Sequence, residues 1–338
     1  MEVKNPSLAQ YQLSLSHQLD TLEIRNRSKE KNMPYLCLIL AACFWGGNYV
    51  IGHILVESID PILLSAARWL LTAALLMALY HRQVAAQWPA MKKSMGTVVF
   101  LALCGQVLFP ITLYIGLQYT SSLNAAIYLS TTPALVLIIN KIFFKESIAP
   151  QSIWGVILSS TGVAYLILQG DFTHADALAS LNRGDLWTMG SAVSWALYCA
   201  FLRIKPKEIK GNAFVAVSAT IGAIALLPVL LFTFSEKAPA LASGHLHYGL
   251  LAGVAYLVIF PSWLSYLLWN KGILAIGSTR GEIYSHLIPL SGGLLSIAFL
   301  NAPIYPFHLV SALLIACGIA LCSMARHGQA VPRQQAGR

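Results

Sequence analysis

The stretch NAAIYLSTTP, residues 124–133, returns in altered form as RGEIYSHLIP, residues 280–289. Both copies carry an Ile-Tyr pair and end on a proline, at an offset of 156 residues. Two glycine pairs align at the same offset, Gly116 with Gly272 and Gly162 with Gly318. Agreement of these residues at a single offset indicates that the chain contains two related halves.

Further matches extend the repeat towards the start of each half. Trp45 aligns with Trp195 at an offset of 150, and the Phe-Pro pair at 109–110 recurs at 260–261. The small differences in offset indicate that the two halves differ by a few residues in their loops.

The composition predicts a membrane protein. The 338 residues are 57% hydrophobic and only 10% charged, with a mean hydropathy of +0.66, whereas a soluble domain carries about 25% charged residues. The six cysteines include no CxxC spacing, so no zinc or redox motif is indicated. No metal and no cofactor is therefore expected.

Ten segments are long and apolar enough to cross a bilayer as helices of about 20 residues. They are 34–55, 61–80, 96–117, 121–144, 151–169, 184–203, 211–234, 246–270, 278–300 and 304–324.

The distribution of Lys and Arg predicts the orientation of these segments. With both termini placed in the cytoplasm, the outside loops hold only Arg183 and Lys237, and Arg68 lies within a span. The remaining 19 of the 22 basic residues then fall on the cytoplasmic side, as the positive-inside rule requires. The net charge of +9 thus reports topology, and no nucleic-acid partner is expected.

The repeat predicts an inverted arrangement, because each half has five spans and the second copy must enter the membrane with opposite polarity. We expect a polar cytoplasmic tail at 1–33, five-helix repeats at 34–169 and 184–324, and a cytoplasmic tail at 325–338. Inverted repeats are typical of secondary transporters, whose substrate site lies near the midplane between the repeats.

Several motifs together resemble the EamA-type branch of the drug/metabolite transporter superfamily. They are FWGGNYVIGH (44–53), ARWLL (67–71), TTPALVLIINKIFFKE (131–146), GVAYLI (162–167), IFPSWLSYLLWNKGILAIGSTRGEIYSHLIP (259–289) and GIAL (318–321). The resemblance spans about residues 35–324 and implies ten helices around a central cavity. It also implies export of small metabolites, often amino acids or their derivatives, across a bacterial plasma (inner) membrane.

The polar residues of the first span are candidates for lining that cavity. Trp45, Asn48 and Tyr49 share one helix face with Gly52 and His53, since their spacings follow the helical period. Ordinary helix packing is the alternative, because Gly and Asn also serve as contacts between membrane helices.

Arg68 is a second candidate, because a charge within a span is costly and should face protein or water. It is expected either to bind an anionic group of the substrate or to point outward towards the loop carboxylates of Glu57 and Asp60. The aromatic residues Tyr128, Trp195, Tyr198 and Tyr266 complete the candidate cavity.

The ninth span carries the candidates for proton coupling, His286 and Glu282. Histidine titrates near neutral pH, although a neutral, hydrogen-bonded histidine fits equally well, and Glu282 has Arg280 nearby as a possible interfacial ion-pair partner. Pro133 and Pro289 occupy matching places in spans four and nine, where each is expected to bend its helix.

The sequence favours a secondary transporter, whose partners are a small-molecule substrate and the lipid bilayer. No GxxxxGK[ST], HExxH or GxSxG motif is present, so neither an ATP-driven pump nor an enzyme is indicated. A passive facilitator or channel remains an alternative, and a membrane-embedded enzyme is a weaker one. The substrate, the coupling ion and the oligomeric state are left open.

Overall fold

The computed structural model describes residues 32–48, 50–52, 54–55, 61–120, 122–171, 182–241, 248–300 and 303–325. Within these residues the backbone is helical, with short turns and loops and no β-strand. The predicted all-α class is therefore confirmed for the described part of the chain. The predicted tails, 1–33 and 325–338, lie almost wholly outside it.

The helices follow one another with short connections. Those of the first half are α1 (Asn32–Gly52), α2 (Pro61–Lys93), α3 (Met95–Ala102), α4 (Phe109–Leu117), α5 (Ser122–Leu129), α6 (Thr132–Phe144) and α7 (Pro150–Ile167). Those of the second half are α8 (Arg183–Phe201), α9 (Gly211–Leu241), α10 (Tyr248–Leu257), α11 (Ser265–Ile276), α12 (Ser278–Gly281), α13 (Leu287–Leu300) and α14 (Pro306–Met324).

Seven helices of the described residues are long and apolar enough to cross a membrane. They are Asn32–Gly52, Leu63–Lys93, Met95–Leu113, Ala125–Phe144, Gly211–Pro228, Tyr248–Ile276 and Pro306–Met324. The predicted spans at 151–169, 184–203 and 278–300 are helical but are not among the seven. A 3₁₀ segment, Glu282–His286, interrupts the last of these, so the count of ten stays a prediction.

The Phe-Pro pair at 109–110 directly follows a π-helical turn, and the pair at 260–261 lies within one. In the first half this turn covers Leu103–Leu108 and joins α3 to α4, and in the second half it covers Val258–Leu264 and joins α10 to α11. Proline cannot donate a backbone hydrogen bond to the residue four positions earlier. Ser262 compensates in the second half, because its hydroxyl donates to the carbonyl of Leu257 at 2.7 Å.

The helix that follows each π turn packs closely on the first helix of the other half. A Cβ added at Gly116 would lie 2.9 Å from the Gly184 carbonyl oxygen and 2.6 Å from Thr188 Cγ2. The repeat-related contact is at Gly272, where a Cβ would lie 3.0 Å from the Pro34 carbonyl oxygen and 2.5 Å from Leu38 Cγ. The residues contacted in the two cases, Gly184 and Pro34, are 150 positions apart, which is the offset between Trp45 and Trp195.

The packing of α7 on α14 is likewise reciprocal. A Cβ at Gly162 would lie 3.0 Å from the backbone nitrogen of Ile315, and one at Gly318 would lie 2.6 Å from that of Ser159. Adding 156 to Gly162 gives Gly318, and subtracting 156 from Ile315 gives Ser159. The two contacts are therefore equivalent under the repeat. Reciprocal contacts of this kind are made by halves related by a twofold axis, here an approximate one. The offset seen in the sequence therefore recurs in the packing.

Candidate functional site

An aromatic cluster lies where α1, α8 and α11 meet. Trp45 packs edge-to-face on Trp195, with ring centroids 5.4 Å apart, and on Tyr266 at 5.7 Å, and lies 5.1 Å from Trp269. Tyr198 stacks on Trp195 at 5.1 Å. Four of the five rings are buried, and that of Trp45 is half-buried. We call these five residues the aromatic cluster.

The two tryptophans related by the repeat meet at the centre of this cluster. Trp45 Nε1 donates a hydrogen bond to the carbonyl oxygen of Pro261 at 2.9 Å. Trp195 packs against the ring of Phe109, with centroids 5.3 Å apart. Each tryptophan therefore contacts the Phe-Pro pair of the opposite half. Both tryptophans were predicted to line the cavity, and the structure brings them into direct contact.

Two adjacent glycines position α1. A Cβ at Gly46 would lie 2.1 Å from Ser291 Oγ, and one at Gly47 would lie 2.1 Å from the hydroxyl oxygen of Tyr256. A larger side chain at Gly46 would move α1 away from the backbone of α13, and one at Gly47 would displace the ring of Tyr256. The glycines therefore serve as packing contacts that hold Trp45, which precedes them, in the cluster.

The tyrosine hydroxyls of the cluster are hydrogen-bonded to neighbouring helices. Tyr266 donates to the carbonyl oxygen of Gly105, in the π turn of the first half, at 2.9 Å. Tyr198 donates to Asn270 Oδ1 at 2.7 Å. The Asn270 side chain is buried, and its Nδ2 has no hydrogen-bond partner among the described residues.

Glu282 lies beside the aromatic cluster and is only 1% exposed. Its Oε1 accepts a hydrogen bond from Trp195 Nε1 at 3.1 Å. The expected ion pair with Arg280 is not formed, since no Lys or Arg nitrogen of the described residues lies within 4.0 Å of the carboxylate. The sequence places Arg280 only two positions away, but the carboxylate of Glu282, at the start of the 3₁₀ segment, lies against Trp195 of α8.

His286 joins three segments in the interior of the protein. Its Nδ1 lies 2.7 Å from Ser159 Oγ of α7, and its Nε2 lies 2.9 Å from the carbonyl oxygen of Ser130, between α5 and α6. A carbonyl accepts only, so Nε2 carries a proton and the hydroxyl of Ser159 partners Nδ1. Both ring nitrogens are thus engaged by neutral groups of the protein.

Arg68 and Asn48, two candidates from different helices, are in direct contact. Arg68 Nη1 donates to Asn48 Oδ1 at 3.0 Å, and the guanidinium carbon lies 5.6 Å from the ring centroid of Trp69. The ring of Trp69 in turn packs on Tyr266 at 5.4 Å, which places Arg68 next to the aromatic cluster. The Nε of Arg68 is buried without a hydrogen-bond partner among the described residues.

The remaining candidates are placed less centrally. Tyr128 is half-buried on α5 and is not one of the rings of the aromatic cluster. Tyr49 lies outside the described residues, as do Glu57 and Asp60, towards which Arg68 was alternatively expected to point.

The matched prolines both lie in the first turn of a helix that follows an interruption. Pro133 is the second residue of α6, after a turn at 130–131, and Pro289 is the third residue of α13, after the 3₁₀ segment. The carbonyl of Leu129, which Pro133 cannot bond, accepts instead from the hydroxyl of Thr132 at 2.6 Å. Each proline thus follows an interruption of the helix, and a bend at the proline itself stays a prediction.

A polar network at one end of the molecule was not anticipated from the sequence. Arg203 Nη2 donates to Glu146 Oε2 at 2.8 Å and to Asn140 Oδ1 at 3.1 Å. Thr279 Oγ1 donates to Glu146 Oε1 at 2.6 Å, and Asn140 Nδ2 donates to Ser278 Oγ at 3.0 Å. We call these five residues the polar latch. It ties the end of α6, the end of α8 and the start of α12 together at the predicted cytoplasmic side.

Comparison with known proteins agrees with this architecture. The model of the EamA-like transporter family matches the chain twice, over residues 32–168 and 182–324. The uncharacterized transporter YyaM of Bacillus subtilis is 27% identical to the chain, over 86% of the chain and 93% of its own length. An uncharacterized transporter of Archaeoglobus fulgidus is 24% identical, over 87% and 98% respectively.

A solved crystal structure has the same fold. It superposes on the chain with a TM-score of 0.64 at 18% sequence identity, and it covers 86% of this chain and 97% of its own. The two family matches, the relatives along nearly the whole chain and the apolar helices lead to one conclusion: the chain is a multi-pass membrane protein that belongs to the EamA-like transporter family.

Proposed function

We propose that the protein is a secondary transporter that exports small metabolites, such as amino acids or their derivatives, across the plasma (inner) membrane by alternating access. In this proposal ten spans form two inverted five-helix repeats, and both termini lie in the cytoplasm. The supporting observation is the reciprocal packing of the two halves around Trp45 and Trp195. A site between such halves can be exposed to either side by rocking one half against the other.

The conformation of the structure fits a closed stage of that cycle. The rings of the aromatic cluster are in mutual contact at the centre, and the polar latch joins three helices at one end. For a substrate to reach the cluster, the latch must break or the opposite end must open.

In this proposal, the side chains that contact the substrate are those that lie around the aromatic cluster. Arg68 and Asn48 present a guanidinium and an amide group next to the cluster, and Glu282 presents a carboxyl group beside Trp195. An arginine without a carboxylate within 4.0 Å among the described residues suits a carboxylate of the substrate. Tyr49 and Tyr128 remain candidates for the outer parts of the cavity.

Of the two candidates for proton coupling, Glu282 is favoured over His286. Both nitrogens of His286 are engaged by groups that stay neutral, so the ring is well suited to hold α7 and the turn at Ser130 together. Glu282 Oε2, in contrast, has no hydrogen-bond partner among the described residues. An unpartnered carboxyl oxygen can gain and lose a proton without breaking a contact between helices.

The test is counterflow in proteoliposomes that contain the purified protein. Vesicles loaded with one unlabelled metabolite at high concentration are diluted into traces of the same labelled metabolite, across a panel of amino acids and related compounds. A carrier accumulates label transiently and saturates, because loaded sites exchange. Linear, non-saturating flux without accumulation would favour the passive channel, and no flux for any metabolite would contradict transport of this class.

A further inference from the structure

Glu282 combines deep burial with an unsatisfied oxygen. The residue is 1% exposed, and Trp195 Nε1 holds its Oε1 at 3.1 Å. Oε2 has no hydrogen-bond partner among the described residues. Cys199 and Ser285 lie beside the carboxyl group but do not reach hydrogen-bonding geometry with Oε2. The bond from Trp195 therefore fixes the carboxyl group while leaving one oxygen free.

The carboxyl group lies at the edge of the aromatic cluster. Trp195, whose Nε1 bonds Oε1, lies 6.3 Å from Trp269 between ring centroids and stacks on Tyr198 at 5.1 Å. Trp269 Nε1 lies 3.3 Å from Cys199 Sγ, on the same face of α8 as Trp195. Faces of aromatic rings attract cations, and the attraction grows when water is excluded. Carboxyl group and rings together are the groups that recognise an organic cation.

The carboxyl group of Glu282 is not paired with a Lys or Arg side chain of the described part of the chain. No Lys or Arg nitrogen of the described residues lies within 4.0 Å of it. An unpaired buried charge is strongly unfavourable, so the group must carry a proton or meet a cation from outside the protein. If its only task were to accept the Trp195 hydrogen bond, a neutral side chain such as glutamine would suffice.

A second unsatisfied polar atom lies near the same rings. Asn270 Nδ2 is buried without a partner among the described residues, while its Oδ1 accepts from Tyr198. The interior thus offers a free acceptor at Glu282 and a free donor at Asn270. Buried polar groups are normally paired, and a ligand with an ammonium group and an acceptor satisfies both.

We propose that Glu282, with the rings of Trp195 and Trp269, binds the ammonium group of a small organic amine. This inference rests on the proposed transport function and narrows its substrates to cationic or zwitterionic amines. The rings contact one another in the present structure, so they separate when the amine binds. The ammonium then takes the free Oε2 as its hydrogen-bond acceptor.

The test measures equilibrium binding and so does not depend on transport. Purified protein in lipid nanodiscs is titrated calorimetrically with 3,3-dimethylbutan-1-amine and phenethylamine, and with their neutral isosteres 3,3-dimethylbutan-1-ol and 2-phenylethanol. At least one amine should bind about tenfold or more tightly than its isostere, the ratio expected for a charge-assisted hydrogen bond. Equal or weaker binding of both amines relative to their isosteres would overturn the inference.

Matched variants assign any amine preference to the carboxyl group. Glu282→Gln keeps an acceptor for Trp195 and should remove the preference, whereas Glu208→Gln, in the exposed loop between α8 and α9, should keep it. A preference that survives in a folded Glu282→Gln protein would overturn the inference. Thermal unfolding of each variant shows whether it is folded, and the isostere comparison on the unaltered protein stands without any variant.

Failure of the inference is distinguishable from failure of the proposed function. Counterflow of a metabolite without an amine, unchanged in Glu282→Gln, would overturn the amine site and leave the transporter. Glu282-dependent binding of amines without counterflow of any metabolite would leave the site and contradict the transporter.

Discussion

Replacing Glu146 by glutamine should weaken the polar latch and favour opening at that end of the protein. The carboxylate of Glu146 accepts from Arg203 Nη2 at 2.8 Å and from Thr279 Oγ1 at 2.6 Å. Glutamine has nearly the same shape but removes the negative charge and one of the two acceptor oxygens. The change therefore tests the charge of the latch with little change in side-chain volume.

The size of the effect follows from the exposure of the two partners. A hydrogen bond to a charged group contributes about 1.5–3 kcal/mol. The side chain of Arg203 is 35% exposed and that of Glu146 is 15% exposed, so screening by water lowers the contribution to about 1–2 kcal/mol. Such a loss changes the ratio of open to closed molecules by about 5- to 30-fold.

The native thiol of Cys199 is a suitable reporter of opening. It is 0% exposed, lies on α8 one turn before Arg203, and is contacted by Trp269 Nε1. In a protein that keeps only this cysteine, a membrane-impermeant thiol reagent reacts with molecules that are open at this end. The other cysteines to be replaced are Cys37, Cys43, Cys104, Cys317 and Cys322.

The rate of Cys199 modification should rise by about 5- to 30-fold in Glu146→Gln, in step with the open fraction. Lys207→Ala, which removes an exposed charge from the loop after α8, should leave the rate unchanged. An unchanged rate in Glu146→Gln would refute the assignment of the latch as the closed gate. A similar rise in both variants would show that loop charge, not the latch, controls the reaction.

Three further predictions concern packing, coupling and topology. Gly318→Ala should destabilise the protein by about 1–3 kcal/mol, because the added Cβ would lie 2.6 Å from the Gly155 carbonyl oxygen. The loss is measured as a lower melting temperature than that of the control Gly293→Ala, whose Cβ has open space around it. Equal melting temperatures of the two variants would contradict the packing. His286→Gln should retain pH-gradient-driven transport, since both ring nitrogens bind neutral groups, and loss of that transport with exchange intact would make His286 the proton carrier. A cysteine at Lys207 should be labelled only from the cytoplasm and one at Tyr305 only from outside; the reverse pattern would contradict the proposed orientation.

The sequence predicted those features that depend on equivalence between the two halves. Offsets of 150 and 156 paired Trp45 with Trp195 and Gly162 with Gly318, and both pairs lie at contacts between the halves. This succeeds because residues equivalent under an approximate twofold axis adopt equivalent environments, and those close to the axis touch each other. A single sequence carries this information as soon as its repeat is recognised.

Contacts without a repeat-related copy could not be predicted in this way. Arg203 and Glu146 are 57 positions apart, and helical periodicity shows which residues share a face but not which helix that face meets. The same limit applies to Glu282, whose neighbour Arg280 suggested an ion pair at the membrane surface. Its carboxylate instead lies against Trp195, 87 positions away in the sequence, and no pattern in the local sequence indicates that contact.

The central claim is that the aromatic cluster between the two halves is the substrate site. The most direct test is to measure the half-saturating concentration for counterflow in Trp45→Ala and Trp195→Ala. Loss of one aromatic contact of about 0.5–1.5 kcal/mol predicts an increase of about 2- to 12-fold in both variants, at normal membrane levels. Trp154→Ala, whose side chain is 64% exposed on α7, should match the unaltered protein. Lower protein levels with an unchanged half-saturating concentration in both cluster variants would contradict the claim and make the cluster a packing element.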